Sequence, residues 1–100
     1  MPEPAQITAD LFERHQGDEF GVGFGDESLP PIRLDEVSRL SPDANSPRPD
    51  PFSLVFSGPP PIMEQRTYAL SHPTLGPIDI FLVPIGVDGE GRVRYEAVFN

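Results

Sequence analysis

The run Arg66-Thr67-Tyr68-Ala69-Leu70-Ser71-His72-Pro73-Thr74-Leu75-Gly76-Pro77-Ile78-Asp79-Ile80-Phe81-Leu82-Val83-Pro84-Ile85 consists of two strand-like stretches joined by turn residues at 73–77. In the first, Tyr68, Leu70 and His72 share one side and Thr67, Ala69 and Ser71 the other, which is the period of two of an extended strand. The joint is too short to hold a helical crossover, so the second stretch returns antiparallel to the first. Ile78 to Ile85 is apolar on nearly both sides, which predicts a strand buried from two faces and central in its sheet. Pro84 has no N–H to give to a ladder, so it must stand at the strand end or at a bulge.

The same period continues on either side. Downstream, Val87-Asp88-Gly89-Glu90-Gly91-Arg92 has the Asp-Gly chemistry of a tight hairpin, and Val93, Tyr95, Ala97 and Phe99 alternate to the chain end. Upstream, Phe52, Leu54 and Phe56 alternate with Ser53, Val55 and Ser57 until Gly58-Pro59-Pro60-Pro61 stops the strand. Phe20, Val22 and Phe24 alternate with Glu19, Gly21, Gly23 and Gly25, and glycines placed so suggest a bulge, a sharp bend or another backbone packed close. Pro30 to Leu40 alternates at Ile32 and Leu34 and slips phase at Val37, which reads as a strand with a bulge or an early end. A short amphipathic helix over about 8–16 fits Thr8 as N-cap, Leu11 and Phe12 as anchors and Gly17 as stop.

Residues 41–51, Ser-Pro-Asp-Ala-Asn-Ser-Pro-Arg-Pro-Asp-Pro, cannot cover a core and read as a mobile loop. Neither half of the chain holds enough apolar surface to fold alone, so this loop is an insertion between paired strands and residues 1–100 form a single β domain. Fourteen prolines in 100 residues, against a usual share of about 5%, put much of the chain in turns. The expected fold class is mainly β: a small antiparallel barrel or sandwich of about six strands with one short N-terminal helix, closed or folded over to hide its edges.

Charge and cysteine content narrow the function classes. Sixteen acidic against seven basic side chains give a net charge of −9, which repels phosphate backbones and anionic lipid surfaces, so neither nucleic acid nor membrane is the expected partner. The chain has no cysteine, hence no disulfide and no thiolate nucleophile or ligand. No signal-peptide pattern or membrane-length apolar run is visible, so the expected location is the cytoplasm.

No motif carries chemistry well. Gly21-Val22-Gly23-Phe24-Gly25 lacks the following helix that a phosphate-binding loop requires, and a bent strand is the simpler reading. Asp88-Gly89-Glu90-Gly91 lacks the spaced oxygens of a calcium loop and suits a hairpin turn. His15 and His72 are the sole imidazoles, and without cysteine they would need distant carboxylates to complete a metal site. His15 suits a helix C-terminus and His72 a hydrogen-bonding strand end. No serine stands in a nucleophile elbow. The sequence therefore leads to no catalytic residue, no cofactor and no enzyme. The surface left unused is Pro60, Pro61, Ile62 and Met63, stiff and apolar outside the alternating strands, which is a candidate partner contact.

Four segments carry a resemblance: Phe52-Ser53-Leu54-Val55-Phe56-Ser57-Gly58-Pro59, Gln65 through Gly76, Phe81-Leu82-Val83-Pro84-Ile85-Gly86, and Tyr95-Glu96-Ala97-Val98-Phe99-Asn100. With the region from Phe12 to Phe20, they make the chain resemble a family of short bacterial proteins known as a domain of unknown function. The resemblance implies a common fold and an association with phage-tail-like proteins, and it supplies no catalytic residues. The expected function is a non-enzymatic structural or protein-interaction module, an accessory of a phage-tail-like assembly, with a protein partner or self-association. Alternatives are a small-ligand-binding barrel whose mouth is lined by Phe24, Phe56, Tyr68 and Tyr95, an acidic inhibitor of a basic partner, and a hydrolase or metal enzyme built on His72 and nearby carboxylates.

Overall fold

The turn at residues 73–75 joins β4 (Arg66–His72) to β5 (Gly76–Val87), and the two pair antiparallel with Tyr68 opposite Ile80 and Leu70 opposite Ile78. The remaining strands are β1 (Glu19–Phe24), β2 (Glu27–Arg39), β3 (Phe52–Gly58) and β6 (Val93–Phe99), preceded by helix α1 (Ala9–Glu13). This computed structural model describes residues 7–41 and 50–99. The strands close into an antiparallel barrel in the order β1-β2-β3-β6-β5-β4. Of the two expected architectures it is the barrel that forms, and closure gives every strand a neighbour on both sides. Among the described residues no helix is long and apolar enough to cross a membrane.

A six-stranded ring encloses a narrow interior, and alternate residues of every strand fill it. Phe20, Ile32, Leu34, Leu54, Phe56, Leu70, Ile80 and Leu82 are all essentially inaccessible to solvent. Phe20 meets Phe56 edge to face, centroids 5.5 Å apart. One end is plugged by α1, whose Phe12 packs on Phe52 at 5.9 Å and Phe99 at 6.1 Å. Arg39, at the end of β2, ties the helix down through Asp10 and Glu13.

The irregularities fall where the sequence breaks its own period. Asp35 is the extra residue between the pairs Leu34–Phe56 and Glu36–Val55, which is why Val37 slips phase. Ile85 is the extra residue between Pro84–Tyr95 and Gly86–Arg94, so Pro84 does stand at a bulge. Gly21 is crossed closely by β4: a Cβ there would lie 2.5 Å from Ser71 Oγ. The hairpin forms between β5 and β6, but over residues 88–92 rather than as a tight Asp-Gly turn, with Asp88 Oδ1 accepting from the Glu90 and Arg92 amides at 2.8 and 3.0 Å.

Four further expectations need correction. β5 is not buried from two sides: Ile78, Ile80 and Leu82 face the core, but Phe81 is 50% exposed, because a barrel offers its strands one covered face only. The strand buried throughout is β3, which the alternation presented as two-faced. Part of its outer face, at Val55 and Ser57, is crossed by long neighbours. Arg92 donates to Ser57 Oγ and to its carbonyl, and Glu36 of β2 reaches Arg94 of β6 across the outside of β3 at 3.7 Å. β2 starts at Glu27 rather than at Pro30, because Pro30 and Pro31 sit where the β1 register shifts between Phe20 and Val22 and no ladder N–H is required of them. The helix is shorter than 8–16, its Thr8 cap accepting from Leu11 N at 3.4 Å, and the chain turns out of it to reach Gly17 at φ 94°.

Of the expected loop at 41–51, residues 42–49 lie outside the described residues. Its flanks are joined, with Arg39 paired to Phe52 and Leu40 N donating to Pro51 O at 2.9 Å, so the segment is an insertion between two paired strands.

Gly58 gives a direct test of the packing. A Cβ on it would meet Cγ2 of the buried Ile32 at 2.7 Å, and a β-branched core side chain cannot swing away. Gly58→Ala is expected to cost about 1–3 kcal/mol by overpacking. Gly21→Ala should cost less, because the exposed Ser71 hydroxyl can rotate aside. Urea unfolding midpoints of the two variants check the order.

Candidate functional site

At the barrel end opposite α1, β3 stops at Gly58 and residues 59–65 cross to the start of β4. Prolines at 59, 60 and 61 keep this crossing out of any ladder, and two tyrosines hold it in place. Met63 N donates to the Tyr95 hydroxyl at 2.9 Å, and the Tyr68 hydroxyl donates to Glu64 O at 2.6 Å. Burial raises the Tyr68 pKa above its ordinary value, so the phenol stays a donor.

Between this crossing and the β1–β2 hairpin lies an open pocket of about 450 Å³. Phe24, Leu29, Ile32, Pro61, Ile62 and Met63 supply its apolar wall, with Tyr68 and Tyr95 beneath. Phe24 is 41% exposed and Ile62 58% exposed, so apolar surface stands open on both sides of the opening. Phe24 meets Tyr68 at 6.0 Å, and the Arg66 guanidinium lies 4.3 Å over the Phe24 ring while pairing with Glu64.

The pocket unites two separate expectations. Pro61, Ile62 and Met63 from the partner-contact segment and Phe24, Tyr68 and Tyr95 from the aromatic mouth meet in one place. Pro60 does not line it, and Phe56 lies inside the barrel against Phe20. With the interior filled, space for another molecule lies at the surface, and the apolar share of it lies at the mouth; a shallower, more polar hollow of about 430 Å³ lies beside Glu19, Ser71 and His72. Glu27, Leu29 and Arg66 were not singled out by sequence, since only the meeting of β1 and β4, paired over Gly21–Gly23 and Ala69–Ser71, brings them together.

A second cluster joins the two histidines. His15 Nδ1 lies 3.1 Å and His72 Nε2 2.9 Å from Asp18 Oδ2, with the rings 4.5 Å apart. Two imidazoles and a carboxylate within 4.8 Å have the composition of a metal site. The bonds of His72 exclude that use. Its Nδ1 accepts from the amides of Thr74 at 3.0 Å and Leu75 at 3.3 Å, so the ring proton is on Nε2, facing Asp18. A metal on Nε2 would require a proton on Nδ1, pointing at two backbone donors, whereas ligating histidines donate that proton to an acceptor. A nucleophile would find Nδ1 equally committed. The cluster is a clasp that ties the turn after α1 to the end of β4.

The hydrogen bond from His72, then that from His15, holds the Asp18 pKa below the usual carboxylate value. A carboxylate with a depressed folded-state pKa stabilises the fold above its unfolded pKa, near 3.9, and the contribution is lost as pH falls through the folded value. Asp18→Asn is therefore expected to flatten the acid limb of the stability profile below about pH 4. Urea midpoints measured from pH 2 to 7 check this, and an unchanged acid limb would count against the clasp.

No curated protein and no solved structure matches the chain. Residues 7–99 match a family model described as Domain of unknown function (DUF6916). Since that span takes in all six strands and the helix, the chain belongs to this family.

Proposed function

We propose that the protein is a non-enzymatic interaction module that takes an apolar group of a protein partner into the mouth pocket. The observation that carries this reading is the pocket itself: about 450 Å³ of largely apolar space between Phe24 and Ile62, both open to solvent, in a molecule whose interior is otherwise filled. The pocket is preformed, because Tyr68 and Tyr95 fix the crossing segment by hydrogen bonds, and little ordering entropy remains to be lost on binding. Every strand of the ring has a partner on both sides, and the stretch of β2 that runs beyond its ladder to β3 carries Pro30 and Pro31, which have no N–H to offer an added strand, so pocket filling is the natural mode of contact. The setting that accords with the family resemblance is a larger bacterial assembly of the phage-tail-like kind.

Ile62→Asp places a charge on the rim without touching the core. Wild-type protein in a native lysate is expected to sediment with a particle far heavier than a free chain of 11.0 kDa, and Ile62→Asp to shift to the free fraction. Wild-type protein sedimenting as a free chain would contradict the reading.

A further inference from the structure

We propose, building on the mouth-pocket reading above, that the occupant is a basic extended segment of the partner: an apolar side chain in the pocket beside a Lys or Arg that pairs with Glu27. Charge complementarity carries the choice. Glu27 lines the pocket and has no side-chain hydrogen bond or ion pair among the described residues. The cation of the pocket, Arg66, is already taken by Glu64 and by the Phe24 ring, so the remaining charge at the rim is negative. Asp26 stands beside Glu27 in the same hairpin turn and adds to it. Arg66 also shows that the aromatic wall accepts a cation on its face.

Two other occupants fit less well. A second copy of this chain brings its own net charge of −9, and the two copies repel. A compact small molecule would leave part of the surface unused: the β2–β3 ladder begins only at Arg33, so β2 continues from Glu27 to Ile32 beyond it as an extended wall of the pocket. A segment of chain lying along that wall contacts both the pocket and Glu27.

The test uses the full chain labelled with nitrogen-15 and N-acetylated nonapeptides carrying a central leucine flanked by two lysines, two serines or two glutamates. The lysine peptide is expected to move the amide signals of Phe24, Ile62, Met63 and Arg66 and to bind about fivefold or more tightly than the glutamate peptide, with Glu27→Gln narrowing the gap. Glu27 is exposed and its side chain unbonded among the described residues, so Glu27→Gln leaves the fold intact. Serine or glutamate peptides binding at the mouth as well as the lysine peptide, or a preference that survives Glu27→Gln, would overturn the basic assignment and leave the mouth reading standing. Hexylamine binding as tightly as the lysine peptide would make the occupant a small cation and overturn the peptide assignment. If no peptide moves the mouth amides at millimolar concentration, the inference falls, while the sedimentation of Ile62→Asp still decides the parent reading.

Discussion

Phe56→Ala is expected to destabilise the protein by about 3–5 kcal/mol, the range for removing a large buried aromatic. Phe56 is at the middle of β3, paired to Leu34 on one side and Tyr95 on the other, and its ring is enclosed against Phe20. Nothing in a closed ring can collapse far into the space it would leave, so the cavity contribution is close to its full value. Against a total stability of about 5–15 kcal/mol, such a loss lowers Tm by more than about 10 °C. Phe24→Ala removes the same ring from the open mouth, where it is 41% exposed, and is expected to cost about 1 kcal/mol. Thermal unfolding of the two variants separates a filled interior from an open mouth. Equal losses would contradict the division between core and site drawn here.

His72→Ala is expected to cost about 2–4 kcal/mol, although the side chain is polar and has no place in the core. Its removal takes the acceptor from the Leu75 amide, in a buried turn residue, and from the Thr74 amide. It also removes the ring that packs on Phe20 at 4.9 Å. His72→Asn keeps an acceptor near the position of Nδ1 but loses the bond to Asp18 and the ring packed on Phe20, so its loss should be smaller than that of His72→Ala. Zinc separates this structural role from a metal site, because a ligand that binds the native state raises its stability with concentration. The clasp predicts that micromolar zinc leaves the wild-type Tm unchanged.

The parts of the fold that follow from local rules were legible in the sequence. Alternation located all six strands, a hairpin formed over residues 88–92, and the slip at Val37 and the proline at 84 both marked real bulges. The errors share a cause. Alternation reports which residues differ along a strand, and burial depends on what crosses that strand in three dimensions. Val55 and Ser57 look like a solvent face until Arg92 and the Glu36–Arg94 pair lie over β3. Phe81 looks like core until closure puts it outside.

The candidate site was legible in pieces. The proline-stiffened segment with Ile62 and Met63, and the aromatics Phe24, Tyr68 and Tyr95, each stood out, but their meeting depends on how the ends of the ring come together. Asp18 was hidden for the same reason. Fifty-four residues separate it from His72, and no spacing rule links the two.

The claim most exposed to test is that contact with the partner is made at the mouth. A photo-crosslinking benzoylphenylalanine at position 62 puts a reactive ring at the pocket rim, and the same residue at position 98 puts it on the 50%-exposed Val98 site towards the opposite end of β6. Irradiation in native cells is expected to give a discrete adduct from position 62 and none from position 98. Adducts of equal yield from both positions, or from position 98 alone, would contradict the account and move the contact to the barrel wall.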